Sequence, residues 1–189
     1  YAIERGLTID TCKTWDLCYD QGRKRLIFPV RDLRGVLVGM TGRDITGKAR
    51  TKYHNYAGLN KIKYIYGAHL LEPGEPITIV EGPLDACIGR QNLYPLSGVI
   101  ATLGGGFSED HVKTIASFQP SAVYTFTDGD VAGREMADRI MYSLKDTMTV
   151  RKNINTPVGM DPATISKEQT IELFNDAKIV YKYINWRKH

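Results

Sequence analysis

Residues 77–93 read ITIVEGPLDACIGRQNL: a short run typical of a buried strand, a Glu-Gly-Pro step, and then the start of a helix. The same order of strand and helix recurs twice downstream. We predict strands over residues 77–80, 99–103, 122–126 and 147–150, with helices over residues 84–90, 108–116 and 131–144. Three consecutive strand–helix units predict a mostly parallel sheet with helices on both faces.

The preceding 74 residues carry a different pattern. Residues 26–30 and 36–40 are apolar runs on either side of a turn sequence, Asp-Leu-Arg-Gly, which predicts a β-hairpin. The sequence Pro-Gly-Glu-Pro at residues 73–76 marks a domain boundary. We therefore predict a small basic α+β subdomain over residues 1–74, an α/β domain over 75–162, and a C-terminal helical segment over 163–189. That last segment begins with a capping-box-like Ser166 and Gln169, and helical spacing continues at Ile171, Phe174, Ala177, Tyr181 and Ile184.

Composition indicates an ordinary globular protein, with 42% hydrophobic and 24% charged residues. No apolar run approaches the roughly 20 residues that cross a bilayer, and residues 1–6 lack a signal-peptide core. The three cysteines, Cys12, Cys18 and Cys87, have neither zinc-finger spacing nor an even number for a disulfide framework. We expect a cytoplasmic protein and, because no initiator Met is present, a fragment of a longer chain.

Charge is unevenly distributed along the chain. Residues 1–74 have 13 basic and 7 acidic side chains, a net charge of +6, whereas residues 75–162 have 7 basic and 11 acidic ones, a net charge of −4. A basic part joined to an acidic part is typical of a polyanion-binding surface beside a metal-binding surface. Chance remains the alternative in segments this short.

Acidic residues directly follow two of the predicted strands. Glu81 comes after residues 77–80, and Asp128-Gly129-Asp130 comes after residues 122–126. The carboxyl ends of parallel strands form one ligand-binding edge, so these carboxylates meet there if the two strands are neighbours. Asp85 lies one helical turn beyond Glu81 and can face the same place. Clustered carboxylates repel each other without a cation, and oxygen-only ligands favour Mg²⁺ or Mn²⁺.

Each of these motifs also has a purely structural interpretation. Asp130 can serve only as the N-cap of the helix that starts at Val131, and Glu-Gly is a common turn. The run Arg23 to Arg25 can be a solvated charged face, and Tyr53 and Tyr56 can pack as well as stack on bases. Their combination is more specific than any single motif.

The two acidic motifs resemble the Toprim domain shared by DnaG-type primases, topoisomerases and some nucleases. Residues 101–106, ATLGGG, are similar to the Ala-Thr-Leu-Gly segment of the primases in particular. The likeness extends upstream through residues 25–32, Gly42-Arg43, residues 52–55 and Lys61, and downstream to Met160-Asp161-Pro162. It covers roughly residues 1–165. The expected architecture is therefore a Toprim-type α/β sheet flanked by helices.

The resemblance implies roles for particular residues. Glu81, Asp128 and Asp130 would be catalytic and bind Mg²⁺ or Mn²⁺, with Asp85 and Asp161 as supporting metal ligands. A basic groove for nucleotide and template would contain Arg23, Arg43, Lys52, Asn55 and Lys61. Two positions depart from the family pattern: the Lys before Asp-Pro is Met160, which weakens the assignment of Asp161, and His54 replaces Leu in Lys-Tyr-Leu-Asn. The divergence suggests a phage or plasmid origin.

The implied function is synthesis of short RNA primers from ribonucleoside triphosphates on single-stranded DNA during replication. Such a core would work with a replicative helicase in a primosome and with a zinc-binding module, in the cytoplasm of a bacterial cell or phage-infected host. Two alternatives keep the same fold: a Toprim-family nuclease, or a non-catalytic nucleic-acid-binding module.

Overall fold

The computed structural model describes residues 1–104, 106–148 and 150–180. Helix α1 (Ile9–Thr14) precedes a four-stranded antiparallel sheet with the strand order β1-β2-β3-β4. Its strands are β1 (Cys18–Asp20), β2 (Arg25–Arg31), β3 (Leu37–Asp44) and β4 (Tyr53–Asn55). The predicted hairpin is confirmed as β2 and β3, in which Ile27 lies opposite Gly42.

The second sheet has five strands in the order β6-β5-β7-β8-β9. Its strands are β5 (Ile77–Val80), β6 (Gly98–Ala101), β7 (Val123–Thr125), β8 (Arg151–Asn153) and β9 (Lys178–Ile179). The first four run parallel, and only β9 is antiparallel to its neighbour. The accompanying helices are α2 (Pro83–Leu93), α3 (Glu109–Ser117), α4 (Val131–Ser143) and α5 (Lys167–Asn175). The predicted mostly parallel α/β architecture is confirmed.

Helices cover both faces of this sheet, so the strands at its centre are buried on two sides. Val80 and Tyr124 point to one face, where Leu84 of α2 and Phe174 of α5 pack. The intervening Ile79 points to the other face, which α3 and α4 cover with Ile115, Met136 and Ile140. The rings of Tyr124 and Phe174 stack at 4.3 Å, so the C-terminal helix is part of this core.

The helix starts agree with the capping signals in the sequence. The side chains of Ser108, Asp130 and Ser166 each accept a hydrogen bond from a backbone N–H in the first turn of α3, α4 and α5. This satisfies donors that the helix itself leaves unpaired. All three cysteines are free.

Two expectations for the C-terminal third are wrong. The fourth parallel strand is Arg151–Asn153. Residues 147, 148 and 150 of the predicted strand are not part of it, and residue 149 lies outside the described residues. The polar sequence of Arg151–Asn153 is not typical of a buried strand. Arg151 is nevertheless buried, and its Nη1 donates a hydrogen bond to the carbonyl oxygen of Met141 at 2.8 Å. Helix α5 ends at Asn175, and β9 follows where helical spacing was expected to continue. Tyr181 and Ile184 lie outside the described residues, and the domain limits at 74 and 162 stay predictions.

The two sheets share one apolar core. Tyr66 pairs with Ala101 at the edge of the parallel sheet, with a distance of 3.0 Å between the Tyr66 nitrogen and the Ala101 oxygen. Its buried ring stacks on Trp15 at 4.8 Å and meets Phe28 of β2 edge-on. This packing fixes the antiparallel sheet beside the carboxyl edge of the parallel one. Within the described ranges, none of the helices combines the length and apolar character needed to cross a bilayer.

Candidate active site at the carboxyl edge of the parallel sheet

Glu81 and Asp128 lie side by side because the strands that precede them are neighbours. Strands β5 and β7 pair in parallel, with Ile79 opposite Thr125, and both acids follow within three residues. An oxygen of Glu81, Oε1, lies 3.4 Å from the backbone nitrogen of Asp128. Two carboxylates that are 47 residues apart in the sequence therefore meet at one edge.

The loop that carries Asp128 and Asp130 is held by backbone hydrogen bonds to the segment of residues 156–161. The backbone nitrogen of Gly129 donates to the carbonyl oxygen of Met160 at 2.9 Å, and the nitrogen of Gly159 donates to the oxygen of Gly129 at 3.3 Å. A Cβ atom on Gly129 would overlap the carbonyl oxygen of Pro157. The glycine in this Asp-Gly-Asp motif is thus required by a close backbone approach.

Asp130 does act as the N-cap of α4, as its structural interpretation predicts. Its Oδ1 accepts a hydrogen bond from the nitrogen of Gly133 at 2.8 Å. A cap engages only one side-chain oxygen here, and the residue is exposed at the rim of the site. Capping and a role at the acidic edge are therefore compatible.

Asp85 and Asp161 complete the acidic set from two further elements. Asp85 lies in the first turn of α2, where its Oδ2 accepts a hydrogen bond from the nitrogen of Gly82 at 3.1 Å. Asp161 precedes a 3₁₀ helix (Pro162–Thr164), and its Oδ1 is buried without a hydrogen-bond partner. An unpartnered buried carboxylate oxygen is costly unless a proton or cation reaches it.

The acids perturb one another electrostatically. Burial raises the pKa of Asp85 to about 7, and the charges of Asp161 and Asp128 add to the rise. Burial and the neighbouring Glu81 raise the pKa of Asp128 to about 6, with Asp161 and Asp130 contributing as well. The pKa of Glu81 is also raised, first by burial and then by Asp130. Burial is the largest cause of each rise, and repulsion by neighbouring carboxylates adds to it.

The chemistry of these donors suits a hard divalent cation. All are oxygen ligands. A cation would reduce the repulsion among them and would give the buried Oδ1 of Asp161 a partner. Across the described residues, however, no group of three or more His, Cys, Asp or Glu side chains is arranged to hold a metal ion. Mg²⁺ is commonly held by one or two carboxylates together with water and substrate phosphates, which this arrangement permits.

One lysine reaches directly into the acidic edge. Lys52 lines a cleft of about 240 Å³ together with Glu81, Asp85 and Asp128, and its charge opposes the rise in the pKa of each of the three acids. Lys61 lies at the same rim, with Nζ 3.5 Å from the carbonyl oxygen of Gly104.

The other three residues of the expected basic groove are placed differently. Arg43 is only 8% exposed, and it donates hydrogen bonds to the hydroxyls of Tyr1 and Tyr53 at 2.8 and 3.0 Å. Arg23 is exposed, lies over the ring of Tyr56 and pairs with Asp20. Asn55 is exposed on β4. Lys52 is thus brought to the acids and Lys61 to the rim of the cleft. Arg43 supports the wall through Tyr53, and neither Arg23, in the turn before β2, nor Asn55, on β4, lines the cleft.

Sequence reasoning left the role of Tyr53 open and missed Arg139. Tyr53 forms part of the wall, and burial raises its pKa strongly, which favours packing over base stacking for this residue. Arg139, on the exposed face of α4, opposes the rise in the pKa of Glu81. The Asp-Gly-Asp motif gave no signal for Arg139, because this residue lies about two and a half helical turns beyond Asp130.

We expect Asp85→Asn to stabilise the metal-free protein, and to do so more at pH 8 than at pH 5. The pKa of Asp85 is higher in the folded state than in the unfolded state. Ionisation of this carboxyl therefore costs stability as the pH rises from the unfolded-state pKa toward the folded-state pKa of about 7. The amide keeps an oxygen for the nitrogen of Gly82 and removes the charge. A gain of at least about 1 kcal/mol at pH 8, or roughly 2–4 °C in Tm, is expected in the presence of a chelator. An equal gain at both pH values would contradict the raised pKa.

Two family models match the chain. Residues 78–165 match the Toprim-like family, and residues 1–71 match the N-terminal domain of the DNA primase catalytic core. The DNA primase of Pseudomonas aeruginosa is 30% identical over 182 residues, and that of Pseudomonas putida is 32% identical over 183 residues. Each alignment covers 91% of this chain but only 27% of the relative, so the chain spans about a quarter of the length of these curated proteins.

Solved structures agree with these matches at the level of the fold. A structure of the DnaG catalytic core has a TM-score of 0.82 at 22% identity and covers 97% of this chain and 74% of its own. A two-domain structure of the Aquifex aeolicus primase, with zinc-binding and RNA polymerase domains, has a TM-score of 0.80 at 21% identity, with 100% and 58% covered. A DnaG primase catalytic domain bound to single-stranded DNA has a TM-score of 0.78 at 24% identity, with 97% and 72% covered.

A parallel sheet with Glu81 and Asp128 at the ends of its two central strands defines a Toprim-like domain. Toprim domains typically bind divalent metal. The antiparallel sheet before it narrows the class further, and with that part included the chain belongs to the DnaG-type DNA primase catalytic cores.

Proposed function

We propose that this chain is the catalytic core of a primase and makes short RNA primers on a single-stranded DNA template by metal-dependent nucleotidyl transfer. The observation that carries the proposal is the juxtaposition of Glu81 and Asp128 at the carboxyl ends of β5 and β7, with Lys52 in the same cleft. Primer synthesis requires a site where carboxylates can hold a cation and a positively charged side chain can face phosphate. This edge supplies both kinds of group.

In the proposed mechanism, Asp128, Asp130 and Glu81 would hold Mg²⁺ or Mn²⁺, and Asp85 and Asp161 would support them. When bound, such ions activate the attacking 3′-hydroxyl and stabilise the charge on the leaving phosphate. The chain's own residues set up the remainder. Burial raises the pKa of Glu81, so its carboxylate is a stronger base than an exposed glutamate and would accept the proton of that hydroxyl. Lys52 and Lys61 would neutralise triphosphate or template charge beside the acids.

The route of the template is proposed to cross the basic antiparallel sheet. Lys52 lines the cleft, Lys61 lies at its rim, and Arg23 and Asn55 are exposed on the antiparallel part of the chain. Arg43 would act by fixing Tyr53 against the cleft and not by touching phosphate. The related catalytic domain bound to single-stranded DNA supports a template of this kind.

Further partners are inferred from the size of the relatives. The Aquifex aeolicus primase carries a zinc-binding domain, and we propose that a zinc-binding module and a replicative helicase act with this core in a primosome, in cis or in trans. The site would then work in the cytoplasm of a bacterial cell or of a phage-infected host.

The proposal is tested by incubating the protein with single-stranded DNA, Mn²⁺ and labelled ribonucleoside triphosphates. New short RNA products that require all four components support primer synthesis. Degradation of the template without incorporation would favour the nuclease alternative, and template binding with neither reaction would favour the non-catalytic one.

Lys61→Ala is expected to weaken binding of single-stranded DNA about 5- to 10-fold at low salt, because one phosphate contact is lost. The slope of log K against log salt concentration should fall by about 0.7. Fluorescence anisotropy over a salt series measures both quantities. Lys63→Ala is the matched control, since Lys63 lies on the same turn but is exposed and directed over the ring of Tyr64. Equal losses for the two variants would argue against a specific role for Lys61.

A further inference from the structure

The turn that carries Lys61 is fastened to the first turn of helix α3. Ser108, the N-cap of α3, accepts a hydrogen bond from the nitrogen of His111 at 3.2 Å. Its Oγ also donates to the carbonyl oxygen of Ile62 at 2.6 Å. One hydroxyl therefore caps the helix and at the same time holds the neighbouring turn 46 residues away in the sequence.

His111 lies beneath the same turn. Its side chain is fully buried, and its ring meets Phe107 edge-on at 5.7 Å. Burial lowers the pKa of His111, and the neighbouring backbone of Tyr64 and Lys61 opposes the fall. Neither ring nitrogen makes a hydrogen bond of ordinary geometry. A fully buried imidazole with both nitrogens unpartnered is unusual for a residue whose only role is to fill a core.

The turn itself is compact, so fixing its backbone also fixes Lys61. The side-chain oxygen of Asn60 accepts hydrogen bonds from the nitrogens of Ile62 and Lys63 at 3.2 and 3.1 Å. The nitrogen of Tyr64 donates to the carbonyl oxygen of Asn60 at 3.0 Å. Lys61 lies inside this closed turn and extends toward Gly104 at the rim of the acidic cleft.

We propose that Ser108 and His111 are positioning residues that hold the turn of residues 60–64 in place and thereby direct the Lys61 ammonium toward bound nucleic acid or nucleotide. The inference rests on the proposed role of Lys61. A side chain with four rotatable bonds gains affinity for phosphate only when its origin is fixed, because ordering it on binding otherwise costs entropy. Neither Ser108 nor His111 touches the phosphate in this arrangement.

The Ser108 variants separate the anchor from the helix cap. Ser108→Gly removes the hydroxyl that donates to Ile62, but glycine is tolerated well at an N-cap position. Ser108→Thr keeps both functions of the hydroxyl and is the conservative rescue. His111→Ala tests the second anchor, and its Tm is measured so that binding is assayed only where every variant is folded.

The decisive measurement is a double-mutant cycle with Lys61→Ala, read as the Kd for a single-stranded DNA oligonucleotide at low salt. Ser108→Gly is expected to raise Kd about 5-fold in the native background, roughly the effect of one lost hydrogen bond. His111→Ala is expected to have an effect of similar size, because it removes the buried ring that packs beneath the turn. In the Lys61→Ala background the same changes should raise Kd less than about 1.5-fold, because their effect passes through Lys61. Ser108→Thr should bind like the native protein.

Additive effects in the two backgrounds would overturn the inference and leave the role of Lys61 intact, since a merely structural defect does not depend on Lys61. An unchanged Kd for Ser108→Gly would overturn it as well. Should Lys61→Ala itself leave Kd unaltered, the positioning role and the proposed groove fail together. Because Kd is measured without synthesis, none of these outcomes depends on whether the chain makes primers.

Discussion

Asp128→Asn and Glu81→Gln are each expected to lower primer synthesis at least about 1,000-fold while the protein remains folded. Both carboxylates lie at the ends of the central strands, and loss of a group that stabilises charge in the reaction costs about 10²–10³ in rate even when it acts alone. The amide variants keep the size of each side chain and remove only its charge. Because the pKa of each acid is raised, removing that charge should leave Tm unchanged or increase it.

Gel analysis of labelled products measures the rate, and a Mn²⁺ titration of Tm measures binding separately. The native protein should gain stability as Mn²⁺ is added, and the Asp128→Asn protein should gain much less. Glu135→Gln is the matched control, since Glu135 is an exposed acid on α4 outside the cleft. Near-native synthesis by Asp128→Asn would remove these acids from the active site. Loss of synthesis with an unchanged Mn²⁺ response would instead limit their role to the chemistry.

The parallel sheet was predictable because its central strands are buried on both faces and consist of β-branched and aromatic residues. Ile77–Val80 and Val123–Thr125 show this directly, and each is followed by an acid and a helix start. The meeting of Glu81 with Asp128 then follows from the neighbouring positions of β5 and β7. Two short strands gave no such signal. Strand β8 contains Arg151, which is buried by a hydrogen bond to a backbone carbonyl, and β9 has two residues.

The basic residues show where sequence spacing ceases to determine geometry. Arg43 and Lys52 both belong to motifs shared with the primases, yet Arg43 is buried against two tyrosines whereas Lys52 lines the cleft. Arg43 lies within β3 and is covered by Tyr1 and Tyr53, whereas Lys52 precedes β4 and stays exposed. Such long-range packing has no local signature. The contact between Ser108 and the turn that carries Lys61 also depends on long-range packing. The sequence predicts the helix cap of Ser108 but not the hydrogen bond from its hydroxyl to the carbonyl oxygen of Ile62.

The second large effect is expected from Gly129→Ala, a change of one methyl group that adds and removes no charge. A Cβ at this position would overlap the Pro157 carbonyl oxygen, and that oxygen belongs to a backbone segment clamped in place by two hydrogen bonds with Gly129. Relief requires the Asp128–Asp130 loop to move away from residues 156–161, at a cost of about 3 kcal/mol, or roughly 6–12 °C in Tm. Primer synthesis should fall at least about 100-fold even below the new Tm, because a displacement near 1 Å is enough to misplace both acids.

Gly22→Ala is the control: the nearest atom to its added Cβ lies 3.4 Å away, and we expect the free energy of unfolding to change by no more than about 0.5 kcal/mol. Thermal melts and primer assays on the two variants measure both effects. A Gly129→Ala protein with native Tm and native synthesis would mean that the loop tolerates displacement and that the tight clamp over the acidic edge is not what positions Asp128 and Asp130.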